Sequence, residues 1–182
     1  QALGVSLADS AHVLRHTAHV KGRVEVVPTP WDYTILIDYA HTPDALENVL
    51  TSIKGFAKGR TVALFGCGGD RDRTKRPQMG AIAARLADFV VVTSDNPRTE
   101  PPHAIIADIV DGMVGTETPY VVVENRIDAI RYAMDHARTG DVILLAGKGH
   151  ETYQVVGREK HHLDEREVVA DYIQELQRKE NS

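Results

Sequence analysis

The chain has 182 residues, 42% of them hydrophobic, and a formal net charge of −5. That length supports one sound core, and with no apolar run near the roughly 18 residues needed to cross a bilayer, and no secretory pattern at its start, it reads as neither membrane-bound nor exported. An acidic balance without a basic stripe argues against nucleic acid as a partner, and a single cysteine, Cys67, cannot form an internal disulfide, which fits a reducing cytosol.

At the start, Ser6-Leu7-Ala8-Asp9 reads as a capping box opening an amphipathic helix through about Thr17, which Lys21-Gly22-Arg23 ends. Residues 1–22 stand apart from the rest of the chain and read as the tail and linker of a preceding domain, with 23–182 the domain proper. From there, strand-length apolar runs alternate with helix-period segments. The runs are Tyr33-Thr34-Ile35-Leu36-Ile37, Val62-Ala63-Leu64-Phe65, Phe89-Val90-Val91-Val92-Thr93 and Val142-Ile143-Leu144-Leu145-Ala146. The helical segments are 43–57, 77–87, 102–114, 126–138 and a last one from about Glu165 to Lys179, and Thr42-Pro43, Asn125 and Asp164 stand where helix starts need them. Tyr153-Gln154-Val155-Val156 and Gly157 look like a hairpin added before the last helix. The alternation predicts an α/β fold, a Rossmann-like doubly wound and mostly parallel sheet with flanking helices.

Four polar clusters come directly after strand-like runs: Asp38-Tyr39-Ala40-His41-Thr42-Pro43, the stretch from Gly66-Cys67-Gly68-Gly69 through Arg76, Asp95-Asn96-Pro97-Arg98, and Gly147-Lys148-Gly149-His150-Glu151. In an open parallel sheet ligands bind outside the carboxyl ends of the strands, so these clusters are expected to converge on one crevice. In the third, Pro97 stiffens the corner, Arg98 offers a planar fork for a carboxylate and Asp95 an acceptor for an ammonium, a pairing suited to a zwitterion. Taken singly, each cluster has a plainer reading. The tetrad is a strand-to-helix turn, Arg71 pairs with Asp70 or Asp72, Glu151 is a solvated loop acid, His41 packs on Tyr39, Lys75 and Arg76 form a solvated face, and Cys67 is a small turn residue. No regular spacing of histidines suggests a structural metal site.

Together and in this order, the four clusters resemble the carboxyl-terminal domain of the Mur ligases, over nearly the whole chain. The Asp-Asn-Pro-Arg tetrad is similar to the diaminopimelate recognition motif of the family's diaminopimelate-adding branch. The resemblance implies ATP-dependent amide formation in peptidoglycan synthesis in the bacterial cytoplasm, with meso-diaminopimelate, UDP-MurNAc-L-Ala-D-Glu and ATP as substrates and Mg2+ as cofactor. It assigns Arg71, Asp95, Asn96, Pro97, Arg98, Gly147 and Glu151 to diaminopimelate, Arg23 and Asp38 to the nucleotide, and Asp38 and His41 to catalysis near the transferred phosphate. Glycine-rich Walker loops of this family lie in a central domain, and no Gly-Lys-Ser or Gly-Lys-Thr occurs here. The chain is therefore expected to be a piece whose partners are the amino-terminal and central domains, inactive alone. Two alternatives stand beside this reading. One is another amide ligase of the superfamily, such as a folylpolyglutamate synthase, against which the tetrad argues. The other is a non-catalytic nucleotide-binding module using Gly66-Cys67-Gly68-Gly69, which lacks the Gly-x-Gly-x-x-Gly spacing.

Overall fold

A computed structural model describes residues 4–16 and 20–180. Helix α1 (Leu7–His16) opens with one half of the expected box, Asp9 N–H donating to Ser6 Oγ at 3.0 Å, while Ser6 Oγ donates to Asp9 Oδ2 at 2.6 Å. Thr17, its expected end, lies outside the described residues.

The body alternates as the apolar pattern requires: β1 (Glu25–Val27), β2 (Thr34–Asp38), α2 (Pro43–Lys54), β3 (Thr61–Phe65), α3 (Lys75–Leu86), β4 (Phe89–Val92), α4 (Pro102–Asp111), β5 (Tyr120–Val122), α5 (Arg126–Asp135) and β6 (Val142–Ala146). A two-residue turn at Gly157, φ +61°, joins β7 (Tyr153–Val156) to β8 (Glu159–His162), and α6 (Glu165–Glu180) closes the chain. The main sheet runs β1-β2-β6-β3-β4-β5, parallel except for β1 against β2. Two of its strands, β1 and β5, were not marked by the sequence pattern. Each is three residues long and sits at an edge, too short and too exposed to show a period.

Central strands are buried on both faces, and their side chains alternate between two cores. Leu36, Phe65, Val92 and Leu144 pack on one face against Leu46 and Leu50 of α2, Met79 of α3 and Ile105 and Ile109 of α4. Ile35, Ile37, Leu64 and Ile143 pack on the other against Ala129 and Ile130 of α5 and Val169 and Tyr172 of α6. Helices on both faces make the sheet doubly wound. The order β2-β6-β3-β4 has a functional result: the four polar clusters emerge from four adjacent strands at one end of the sheet. Among the described residues no helix is long and apolar enough to cross a membrane.

Candidate functional site

At that end lies a cavity of about 430 Å³ bounded by all four loops. Arg71, Asp95, Asn96, Arg98, Gly147 and Glu151 line it, as do His41 and Tyr39. Pro97, Asp38 and Arg23 do not. Pro97 shapes the loop from behind, where its carbonyl lies so close to Gly69 that any Cβ at 69 would collide with it. The glycine-rich stretch after β3 thus serves close backbone packing against the tetrad loop, with Gly69 N–H donating to Asn96 O at 2.9 Å.

The tetrad loop is held from the other side by the hairpin. Arg98 N–H donates to Val155 O at 3.0 Å and Gly157 N–H to Arg98 O at 2.7 Å, which fixes Arg98 at φ +52°, a left-handed conformation unusual for a side-chain-bearing residue. Gln154 Nε2 donates to Asp95 O at 2.6 Å, and Val155 N–H to Asn96 Oδ1 at 2.8 Å. The hairpin is therefore part of the site's scaffold.

Two guanidinium groups reach the cavity without a carboxylate partner among the described residues. Arg98 Nη1 donates to the carbonyls of Gly69 at 2.9 Å and Asn96 at 3.4 Å, and Arg71 Nη1 donates to the Asp70 carbonyl at 3.1 Å. A pairing of Arg71 with the side chain of Asp70 or Asp72 is not what forms. Asp70 instead takes Thr99 N–H and O–H, and Asp72 takes Thr74 N–H and O–H. Nor is Glu151 a solvated loop acid: its Oε2 accepts from Asn96 Nδ2 at 3.0 Å and lies 3.3 Å from Lys148 Nζ.

Lys148 is a residue to which the sequence pattern assigns no role. It is 0% exposed, directly beneath the cavity, and its ammonium lies 3.5 Å from Asp95 Oδ1 and 3.3 Å from Asn96 Oδ1 as well. Its signal was its position immediately after β6 between Gly147 and Gly149, whose φ values of +115° and +52° turn the backbone there.

The solvated face expected at Lys75 and Arg76 is a further correction. Arg76 is 0% exposed, with Nη1 on Asp108 at 2.8 Å, Nη2 on Glu100 at 2.8 Å and a third bond to Gly68 O. Arg76 holds Glu100 well below the ordinary carboxylate range, at about 2. Lys75 Nζ donates to His41 O at 2.7 Å. Cys67 is buried, its thiol pushed up to about 12 mainly by burial, so no thiolate is on offer.

His41 packs on Tyr39 with the rings tilted 57° and their centroids 4.5 Å apart, and its Nδ1 lies 2.8 Å from Tyr39 O. Burial, then Glu151 and Asp95, raise the Tyr39 phenol above its usual value. Asp38 is buried at the end of β2, where Oδ2 accepts Val24 N–H at 2.8 Å and its carbonyl accepts Gly147 N–H at 3.0 Å. Arg23 stands 5.4 Å over the Tyr39 ring. Among the described residues no group of three or more His, Cys, Asp or Glu side chains is placed to hold a metal ion.

The chain is thus a doubly wound α/β domain whose cavity, at the carboxyl ends of its strands, is lined by Arg71 and Arg98 without carboxylate partners among the described residues and by the carboxylates of Asp72, Asp95 and Glu151. The model of the "Mur ligase, glutamate ligase domain" matches residues 22–149, and the chain belongs to the Mur ligase family. It is 49% identical over 176 residues to a UDP-N-acetylmuramoyl-L-alanyl-D-glutamate–2,6-diaminopimelate ligase of Caldanaerobacter subterraneus subsp. tengcongensis, covering 97% of this chain and 36% of that protein. It is 54% identical over 166 residues to a ligase of the same name from Synechococcus elongatus, covering 91% and 33% respectively. A solved structure bearing that ligase name superposes with a TM-score of 0.80 at 37% identity, over 97% of this chain and 36% of the other. The chain thus spans about a third of the length of the relatives it matches.

Proposed function

We propose that this chain is the amino-acid-binding domain of an ATP-dependent ligase that adds meso-diaminopimelate to UDP-MurNAc-L-Ala-D-Glu in the bacterial cytoplasm. The observation that carries this reading is the pairing, in one cavity, of Arg71 and Arg98 without carboxylate partners with the Asp95 and Glu151 carboxylates. Diaminopimelate bears two carboxylates and two ammoniums, and this set answers both charges. The relatives' names support the same substrate.

In this reading the D-glutamate γ-carboxylate is activated by phosphorylation from ATP. The diaminopimelate amine attacks the acyl carbon, and inorganic phosphate leaves. Magnesium neutralises phosphate charge when bound. The chain's own residues contribute position: Arg71 and Arg98 hold the carboxylates, Glu151 an ammonium, and the rigid loops keep the nucleophilic amine in line. Arg23 and Asp38 border the strand end where a nucleotide-bearing domain would close, and His41 lines the cavity beside them. Exposed Leu7 and Val13 on α1 support residues 1–22 as the tail of a preceding domain.

Calorimetric titration of the chain with meso-diaminopimelate, L-lysine and NAD tests this. Meso-diaminopimelate is expected to bind most tightly, L-lysine more weakly and NAD not at all; tighter binding of L-lysine or NAD contradicts the reading. The chain by itself is expected neither to hydrolyse ATP nor to form the amide.

A further inference from the structure

Beneath the cavity floor, a single buried ammonium is shared by three acceptors. Lys148 Nζ lies 3.5 Å from Asp95 Oδ1, 3.3 Å from Asn96 Oδ1 and 3.3 Å from Glu151 Oε2, all longer than the roughly 2.7 to 2.9 Å of a committed charge-assisted hydrogen bond. Equal sharing, rather than one strong pair, is what these distances describe. Asn96 closes the ring: its Nδ2 donates to Glu151, and its Oδ1 accepts from Val155 N–H as well as facing Lys148. Both ends of the amide are thereby engaged inside the protein, although Asn96 borders the cavity.

We propose that Lys148 is a positioning residue for the amino-acid site, balancing Asp95 against Glu151 and locking Asn96 so that the three present one net negative charge to an incoming ammonium. The inference rests on the cavity being the amino-acid site.

Three physical points favour it. Two carboxylates drawn toward one point repel, and a fully buried cation within 3.5 Å of both offsets that repulsion. With Lys148 the group's formal charge is −1, which answers one ammonium, whereas without it the formal charge is −2. Lys148 is also placed to do nothing else, because it is 0% exposed and does not line the cavity. Around the triad stand Tyr39 from the end of β2, Cys67 and Arg71 from the β3 loop, and Arg98 from the β4 loop. Tyr153 of β7 offers its ring face to Lys148 at 5.9 Å and to Lys160 of β8 at 4.0 Å. Arg71 and Arg98 are turned to carbonyls and the cavity, so neither replaces Lys148 between the acids.

The test is a carboxyl-carbon NMR titration of Asp95 and Glu151 in the chain and in Lys148→Met, with calorimetry of meso-diaminopimelate across the same pH range. In the variant one carboxyl is expected to titrate about one pH unit or more above its position in the unmodified chain. A protonated acid no longer attracts an ammonium, so the variant's affinity should fall about tenfold for that unit, most at the acid end, and recover as pH rises. Unchanged carboxyl titrations in a folded Lys148→Met overturn the proposal. Should that variant fail to fold, Asp95 is compared between Glu151→Gln and Glu151→Gln with Lys148→Met. A higher Asp95 titration in the double variant supports the proposal, and coincident curves overturn it. Failure of the amino-acid reading is seen separately, as no heat from the unmodified chain, and leaves the NMR outcome standing.

Discussion

Arg71 in the loop after β3 and Arg76 in the first turn of α3 stand five positions apart and meet opposite fates. Arg76 turns inward, is 0% exposed, and is held by Glu100 and Asp108. Arg71 stays exposed with a backbone carbonyl as its partner, because Thr99 and Thr74 occupy the neighbouring carboxylates. Arg98, across the cavity, likewise bonds only carbonyls among the described residues. The lesson is that the cations available to a ligand are those the fold leaves without an acid. A structural guanidinium arrives with its counter-charges attached, since an unpaired buried charge is costly.

This contrast is broken most severely at Arg76. Replacing it by Met strands two acids, and the expected loss is about 3 kcal/mol of stability. Thermal unfolding should then come roughly 6 to 12 °C lower in a chain of this size. A melting temperature within about 2 °C of the unmodified chain would show that Arg76 is not the strut described.

At Arg71 the expectation reverses. Arg71→Ala should leave stability within about 0.5 kcal/mol, because an exposed side chain with no acid partner holds little together. Its affinity for meso-diaminopimelate should nonetheless fall by one to two decades, the roughly 1.5 to 3 kcal/mol of a charged hydrogen bond. Loss of stability with affinity intact would exchange the roles of the two arginines.

Structural pairs should also show in acid. Glu100, held down by Arg76, and Glu25, held down by Arg166, both sit at about 2, below their ordinary 4.5. A depressed acid gives stability that is present above its unfolded value and lost as pH falls toward its folded one. Unfolding free energy should therefore decline between about pH 4.5 and 2, and Glu25→Gln, removing one partly exposed pair, should lessen that decline by about 1 kcal/mol or less. A denaturant series at several pH values reads the slope.

Much of this was legible from local chemistry. The apolar runs marked the four central strands, Thr42 and Asn125 capped helices as their side chains suggest, and the clusters after each strand did converge. The helical period in the sequence overruns the helix where the chain leaves gradually: beyond Lys54, Phe56 and Ala57 still donate to Ile53 O. What local chemistry does not encode is charge partnership across the fold. The acids of Arg76 lie 24 and 32 positions away and those of Lys148 include one 53 away, so a strut, a ligand-binding arginine and a solvated lysine look alike in the sequence.

The central claim is that an arginine without an acid partner reads the ligand's carboxylate, and Arg98→Ala tests it most directly. Calorimetry of the variant with meso-diaminopimelate and L-lysine compares two ligands that differ by one distal carboxylate. Affinity for diaminopimelate should drop by about one to two decades, while the weaker lysine binding holds or improves as a guanidinium facing its ammonium is removed. Equal losses for both ligands would make Arg98 a support for the loop and contradict the account.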